Sequence, residues 1–114
     1  NIKMEIRAAA KPKLTIPSPM LVTVVANILE NALHGAAEAH CENPKITVSI
    51  KHKSGRLVIT CENTCSNNLN FDEMPDYLQG IGVHSIISTA QKYNGACRFK
   101  ASDGLFRCTV IMDE

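Results

Sequence analysis

Two asparagines stand one helical turn apart in the stretch ANILENALHGA, residues 26–36. Asn27 and Asn31 have Glu30 between them, and His34 follows. Asparagine is a poor helix former, because its carboxamide competes for nearby backbone hydrogen bonds. Two of them one turn apart in an otherwise good helical sequence raise the question of what the carboxamides do. Their oxygens are neutral hard ligands suited to Mg²⁺, and their nitrogens donate to phosphate oxygens. Side chains at i, i+4 and i+7 share one flank of a helix, so Asn27, Asn31 and His34 can address one ligand. At about 100° per residue, Thr23, Glu30 and Glu38 fall on the same flank. That pattern also suits the plain solvated side of an amphipathic helix. Asn31 lies near the edge of the apolar face, close to Val24, so it need not point straight into water.

The elements that position these residues follow from periodicity and turn chemistry. In residues 2–8, Ile2, Met4 and Ile6 alternate with Lys3, Glu5 and Arg7, the pattern of a half-buried strand. A connector follows, with a short extended piece at Leu14 to Ile16. Pro17-Ser18-Pro19 announces a helix, with Ser18 as its cap and Pro19 at its first position. The helix is predicted from Pro19 to about Ala39, with Leu21, Val25, Ile28, Leu29, Ala32 and Ala36 on its core face. Lys45 to Lys51 and Arg56 to Glu62 alternate around Ile46, Val48, Ile50 and around Leu57, Ile59, Cys61, and Ser54-Gly55 predicts a hairpin between them. Residues 64–79, TCSNNLNFDEMPDYLQ, are polar, contain Pro75 and show no period. A connection of this length is usually functional or mobile.

After Gly80-Ile81-Gly82 a second helix is predicted from Val83, Ile86, Ile87, Ala90 and Tyr93, stopped by Asn94-Gly95. Two strands, near Ala96 to Ala101 and Leu105 to Met112, close the chain around Ser102-Asp103-Gly104. The order strand, helix, hairpin, loop, helix, hairpin predicts an α+β fold: a mixed, mainly antiparallel sheet with helices on one face.

Composition bounds the function. The 114 residues make one domain, and 45% hydrophobic content makes it globular. A formal net charge of +1 gives no case for nucleic-acid or membrane binding by bulk electrostatics. The absence of Trp and the scatter of the other aromatics disfavour a base-stacking platform. No apolar run approaches the roughly 20 residues of a membrane helix, and no signal peptide is visible. The strand pattern that starts at Asn1 suggests a domain of a longer polypeptide. The cysteines are odd in number, and Cys61, Cys97 and Cys108 fall in apolar strand patterns, where a thiol behaves as a small hydrophobe. This reads as a reducing environment. Cys61 and Cys65 do not form a CxxC pair, which argues against structural zinc.

The segment N-x-x-x-N-A-L-H, residues 27–34, resembles the N box of the histidine-kinase and gyrase-type ATPase (GHKL) superfamily. GIGVHSI, residues 80–86, resembles its G-x-G-L box, and Gly104 before Phe106 resembles its closing G-x-F and strand. The resemblance covers nearly the whole chain, 1–114. It is greatest to the ATP-binding domain of peptide-sensing, Agr-type quorum-sensing histidine kinases. It implies the two-layer Bergerat ATP-binding fold, with residues 64–82 as the ATP lid, and ATP and Mg²⁺ as cofactors. By the same resemblance Asn31 is the Mg²⁺ ligand and Asn27 orients phosphates or metal-bound water. His34 takes the place of a basic residue near the phosphates. Gly80 and Gly82 let the lid backbone approach the triphosphate. His84, at the start of the second helix, either faces the phosphates or is solvated; His40 and His52 read as solvated.

The pattern departs from the superfamily in two places. Asn63 stands where the G1 box has its adenine-binding Asp, and Cys65 and Asn67 stand where it has glycines. An Asn still accepts a hydrogen bond from the adenine N6 amine, but the bulkier edge implies weak ATP binding. Asn27 stands where the gyrase-type enzymes have a Glu base, and Asn cannot take a proton from water. Glu30 reads as a solvated carboxylate paired with His34. These departures imply phosphoryl transfer to a histidine on a separate dimerisation domain, and on to a response regulator. The resemblance further implies a place at the cytosolic end of a membrane-bound sensor kinase, with neither nucleic acid nor direct membrane contact. The alternatives are a degenerate, non-catalytic docking module on the same fold and an anti-sigma-type serine kinase; the spacing of the N box and lid disfavours the latter.

Overall fold

The computed structural model describes residues 2–9, 14–66 and 81–114. In chain order the elements are β1 (Lys3–Ala9), α1 (Ser18–Glu38), β2 (Lys45–Lys53), β3 (Arg56–Thr64), α2 (Ile81–Lys92), β4 (Ala96–Ser102) and β5 (Leu105–Asp113). The strands form one sheet in the order β1-β2-β3-β5-β4. Only β1 and β2 run parallel; every other pair is antiparallel. The parallel step is the one that needs a crossover, and α1 supplies it. Both hairpins turn on two residues at positive φ: Ser54 and Gly55 at 52° and 76°, Asp103 and Gly104 at 54° and 79°. This is the primed turn whose twist matches paired strands. The expected mixed sheet with helices on one face is therefore the observed fold.

Strand alternation sorts the two layers. Ile46, Val48, Leu57, Ile59, Cys61, Cys108, Val110 and Met112 are buried on one side of the sheet. Val24, Ile28, Ala32 and Ala36 of α1, and Val83, Ile86 and Ala90 of α2, close over them. Val24 takes the centre of the α1 face, while Leu21, Val25 and Leu29 are only partly buried at its edge. The predicted half-buried character of β1 needs correction. Met4 and Ile6 lie on the helix side of the sheet yet remain 42% and 57% exposed, because α1 packs over β2 and β3.

Two further expectations are corrected. Ser18 does not cap α1: Pro17 holds the N-cap position with no side-chain cap bond, and Ser18 is already helical. Pro17, at φ −57° and ψ 137°, turns its carbonyl onto the N–H groups of Met20 and Leu21 at 3.0 and 3.2 Å. Second, α1 is by length and composition long and apolar enough to cross a membrane, with 21 residues and a mean hydropathy of 1.3. In this fold its apolar stripe lies in the core against the sheet. Among the described residues all five cysteines are free thiols. Burial pushes the Cys61 thiol up to about 11, so it stays protonated as a small core side chain.

Candidate functional site

Asn27, Asn31 and Gly35 recur every four residues along one flank of α1, spaced roughly 6 Å apart along its axis. The flank predicted from sequence divides in two. Asn27 and Asn31 are half-buried, whereas Thr23, Glu30, His34 and Glu38 are exposed. Among the described residues, neither asparagine carboxamide has a hydrogen-bond partner within the protein. Both carboxamides are therefore available to a ligand that reaches this flank.

Each end of this stripe is met by another element. At one end α2 arrives: a β-carbon added at Gly82 would lie 3.2 Å from Asn27 Oδ1. At the other end β3 arrives with Asn63, which is 2% exposed. Asn63 Nδ2 donates to the Thr64 carbonyl at 3.0 Å. That bond commits the nitrogen and leaves Oδ1 as the free acceptor. The carboxamide rests on the backbone of Gly35, where an added β-carbon would come to 2.5 Å from Nδ2. α2, α1 and the end of β3 thus meet on the helix side of the sheet, with Asn31 between the two contacts.

Beyond Asn63 the chain is pinned to the last hairpin, where the Cys65 N–H donates to the Gly104 carbonyl at 2.8 Å. Cys65 is buried, and burial pushes its thiol up from the ordinary range. A cleft of about 640 Å³ opens here, between Ala39 and Cys41 after α1, Cys65 and Ser66 after β3, and Asp103 in the last turn. Its lining includes Cys65, the residue that stands where the resemblance would put a glycine.

The remaining predicted residues are placed as follows. His34 and His84 are exposed, and among the described residues neither makes a hydrogen bond or ion pair. No ion pair joins Glu30 to His34 among the described residues; both side chains are exposed. Gly80, Asn67 and most of the 64–82 segment lie outside the described residues.

Gly35 is the site residue that sequence reasoning missed. A glycine inside a helix costs about 1 kcal/mol relative to alanine. α1 continues to Glu38, so Gly35 is not its terminator. That unexplained cost was the available signal, and close approach by Asn63 is its cause. Gly35→Ala is expected to destabilise the protein, because the Asn63 carboxamide must leave Thr64. In an Asn63→Ala background the same change should stabilise by about 1 kcal/mol, the helix-propensity term alone. Equal effects in both backgrounds, measured by urea denaturation, would refute the contact.

A family model described as a GHKL domain matches residues 19–113. No curated protein matches the chain. Among solved structures, the catalytic domain of histidine kinase ThkA in a nucleotide-free form superposes with a TM-score of 0.70 at 12% identity, covering 98% of this chain and 79% of that one. Acinetobacter baumannii histidine kinase AdeS superposes with a TM-score of 0.74 at 14% identity, covering 98% of this chain and 54% of that one. The histidine kinase domain of the Erythrobacter litoralis blue-light-activated kinase EL346 gives 0.72 at 15% identity, covering 97% and 54%. The chain thus spans about half the length of the last two, and at these identities the likeness is one of fold. The family model runs from the start of α1 through both hairpins and α2, and on that match this chain belongs to the GHKL domain family.

Proposed function

We propose that this domain binds Mg-ATP and presents the γ-phosphoryl group to a histidine on a separate dimerisation domain of a sensor kinase of the peptide-sensing, Agr-type class. The observation that carries the reading is the convergence on one helix flank: Gly82 against Asn27, Asn63 against Gly35, and the unpartnered carboxamide of Asn31 between them.

The residues fit the cofactors they would hold. Among the described residues no group of three His, Cys, Asp or Glu side chains is arranged to hold a metal. A site with one neutral protein oxygen, that of Asn31, suits Mg²⁺, which keeps its waters and takes the rest of its shell from substrate phosphates. When bound, the ion neutralises charge on the phosphates and so favours phosphoryl transfer. Asn63 Oδ1 accepts from the adenine amine. Gly82 lets the start of α2 approach, and the unpaired N–H groups of that helix end favour an anion. His34 and His84, both exposed, supply donors at the phosphate side, and Gly80 with residues 64–82 forms the lid. Asn27 positions but takes no proton, and Glu30, the carboxylate on the same flank, is exposed to solvent rather than held in the site. That favours transfer to a protein histidine over hydrolysis, with a response regulator as the onward acceptor. The domain then works at the cytosolic end of a membrane-bound receptor.

A second reading keeps the fold without the chemistry: a docking module that regulates a partner kinase. Cys65 favours it, standing where the G1 box has a glycine, and so does the cleft that Cys65 borders, which is lined by none of Asn27, Asn31, Asn63 and Gly82. A titration of the ¹⁵N-labelled domain separates the two. Mg-ATP at millimolar concentration or below should shift the amide signals of Asn31, Asn63 and Gly82. A well-dispersed spectrum that ignores Mg-ATP would sink the kinase reading and favour docking.

A further inference from the structure

The near-zero total charge conceals a segregation that the fold creates. On each strand the residues that alternate with the core positions form the helix-free face of the sheet. Among the described residues that face carries nine of the ten Lys and Arg but only three of the eight Asp and Glu, a surplus of six on a chain whose formal net charge is +1. None of its side chains is buried.

The strand registers sharpen the point. Lys3 lies directly opposite Lys45, Lys53 opposite Arg56, and Lys100 opposite Arg107. Like charges placed directly across a sheet are destabilising. The three acids relieve one member of each pair: Glu5 approaches Lys45 at 3.7 Å, Asp113 meets Arg56 at 3.1 Å and Glu62 meets Arg107 at 3.0 Å. The other members, Lys3, Lys53 and Lys100, have no ion pair among the described residues, and neither do Lys51 and Arg98. Core burial and the two hairpin turns set these registers, and they leave a row of uncompensated cations on the opposite face. An anionic partner would compensate them.

We infer that the helix-free sheet face docks on an anionic lipid bilayer. A protein partner is the weaker fit, because such interfaces centre on aromatic anchors and are depleted in Lys; Phe99 and Phe106 pack with the core instead. Nucleic acid is also the weaker fit. The face has no aromatic residue for stacking and no helix or ribbon standing proud to enter a groove. A bilayer needs neither anchor nor groove, only cations spread over a surface held within a Debye length. The inference uses neither the nucleotide site nor its chemistry, and so stands or falls apart from them.

The test is sedimentation of the domain with two kinds of vesicle: phosphatidylcholine alone, and phosphatidylcholine containing about one-third phosphatidylglycerol. Binding is expected to the anionic vesicles only, and to weaken as salt rises. In Lys51→Gln/Lys53→Gln/Lys100→Gln the partition coefficient should fall about fivefold per cation, on the order of a hundredfold together. The variant's thermal midpoint should hold or rise, because two like-charge pairs are relieved, so lost binding cannot be laid to unfolding. Equal binding to both vesicles, no binding to either, or an unaltered partition in the variant would overturn the inference. Tighter binding to a DNA duplex than to the anionic vesicles in the same buffer would overturn it in favour of nucleic acid.

Discussion

Replacing Asn31 by alanine should abolish Mg²⁺-dependent ATP binding and leave the fold intact. Asn31 is half-buried with no hydrogen-bond partner among the described residues, so its removal breaks nothing inside the protein. Alanine is the better helix former by roughly 0.5 kcal/mol, so the unfolding free energy should hold or rise slightly. Binding is a different matter. The site has one candidate protein ligand for the ion, and even outer-shell partners of a metal are worth about 10–100-fold in affinity. A loss of about a hundredfold or more is therefore expected for Asn31→Ala. Calorimetric titration with Mg-ATP and with ATP plus a chelator checks it. The variant should resemble the chelated wild type in both. Wild-type Mg-ATP affinity in the variant would remove Asn31 from the site and, with it, the basis of the phosphotransfer proposal.

Gly95→Ala should produce the largest loss of stability of any single methyl addition at the glycines whose surroundings are described. A β-carbon at Gly95 would lie 1.6 Å from the Ile111 carbonyl oxygen and 2.6 Å from its carbonyl carbon. These are backbone atoms of a strand paired on both sides, and they cannot swing away as a side chain can. The same junction carries two backbone bonds at 2.8 Å, from Gly95 N–H to the Ala90 carbonyl and from Asp113 N–H to the Tyr93 carbonyl. Making room requires β5 to part from the end of α2 and those bonds to lengthen. A cost of about 3 kcal/mol or more is expected, at the upper end of overpacking effects. Asn94 is the informative neighbour, since it holds the left-handed turn at φ 55°. Asn94→Gly should be nearly neutral, because glycine takes that conformation freely. Urea denaturation of the two variants separates a close backbone approach from a turn requirement. A Gly95→Ala protein as stable as wild type would mean that the two chains do not approach this closely.

The two substitutions probe what was and was not legible beforehand. Asn27 and Asn31 were legible as a pair, because their spacing matches one helical turn and their residue type is out of place in a helix. Asn63 was found only through the family resemblance; as one more polar residue at a strand end it carried no signal of its own. Gly35 was passed over, although its neighbour His34 was singled out. The contact that explains it comes from a residue 28 positions further along, and nothing local encodes that distance. Ser18 was misjudged as a cap for the opposite reason. A local preference was read correctly, but the chain enters the helix through the Pro17 carbonyl instead.

By itself the amino-acid sequence determined the periods and the turns: alternation in the strands, a four-residue recurrence in the helices, turns at Ser54-Gly55 and at Ser102-Asp103-Gly104, and Asn94-Gly95 as a stop. Each depends on sterics and hydrogen bonds among residues a few positions apart, so a short window contains the cause. Tertiary structure alone decided which elements became neighbours. Inserting β5 between β3 and β4 set the order of the sheet. Packing α2 beside α1 brought Gly82 to Asn27. Strand register gathered nine cations onto one face of a nearly neutral chain. Burial of the shared apolar core selects these arrangements, and that selection acts between residues that no local pattern relates.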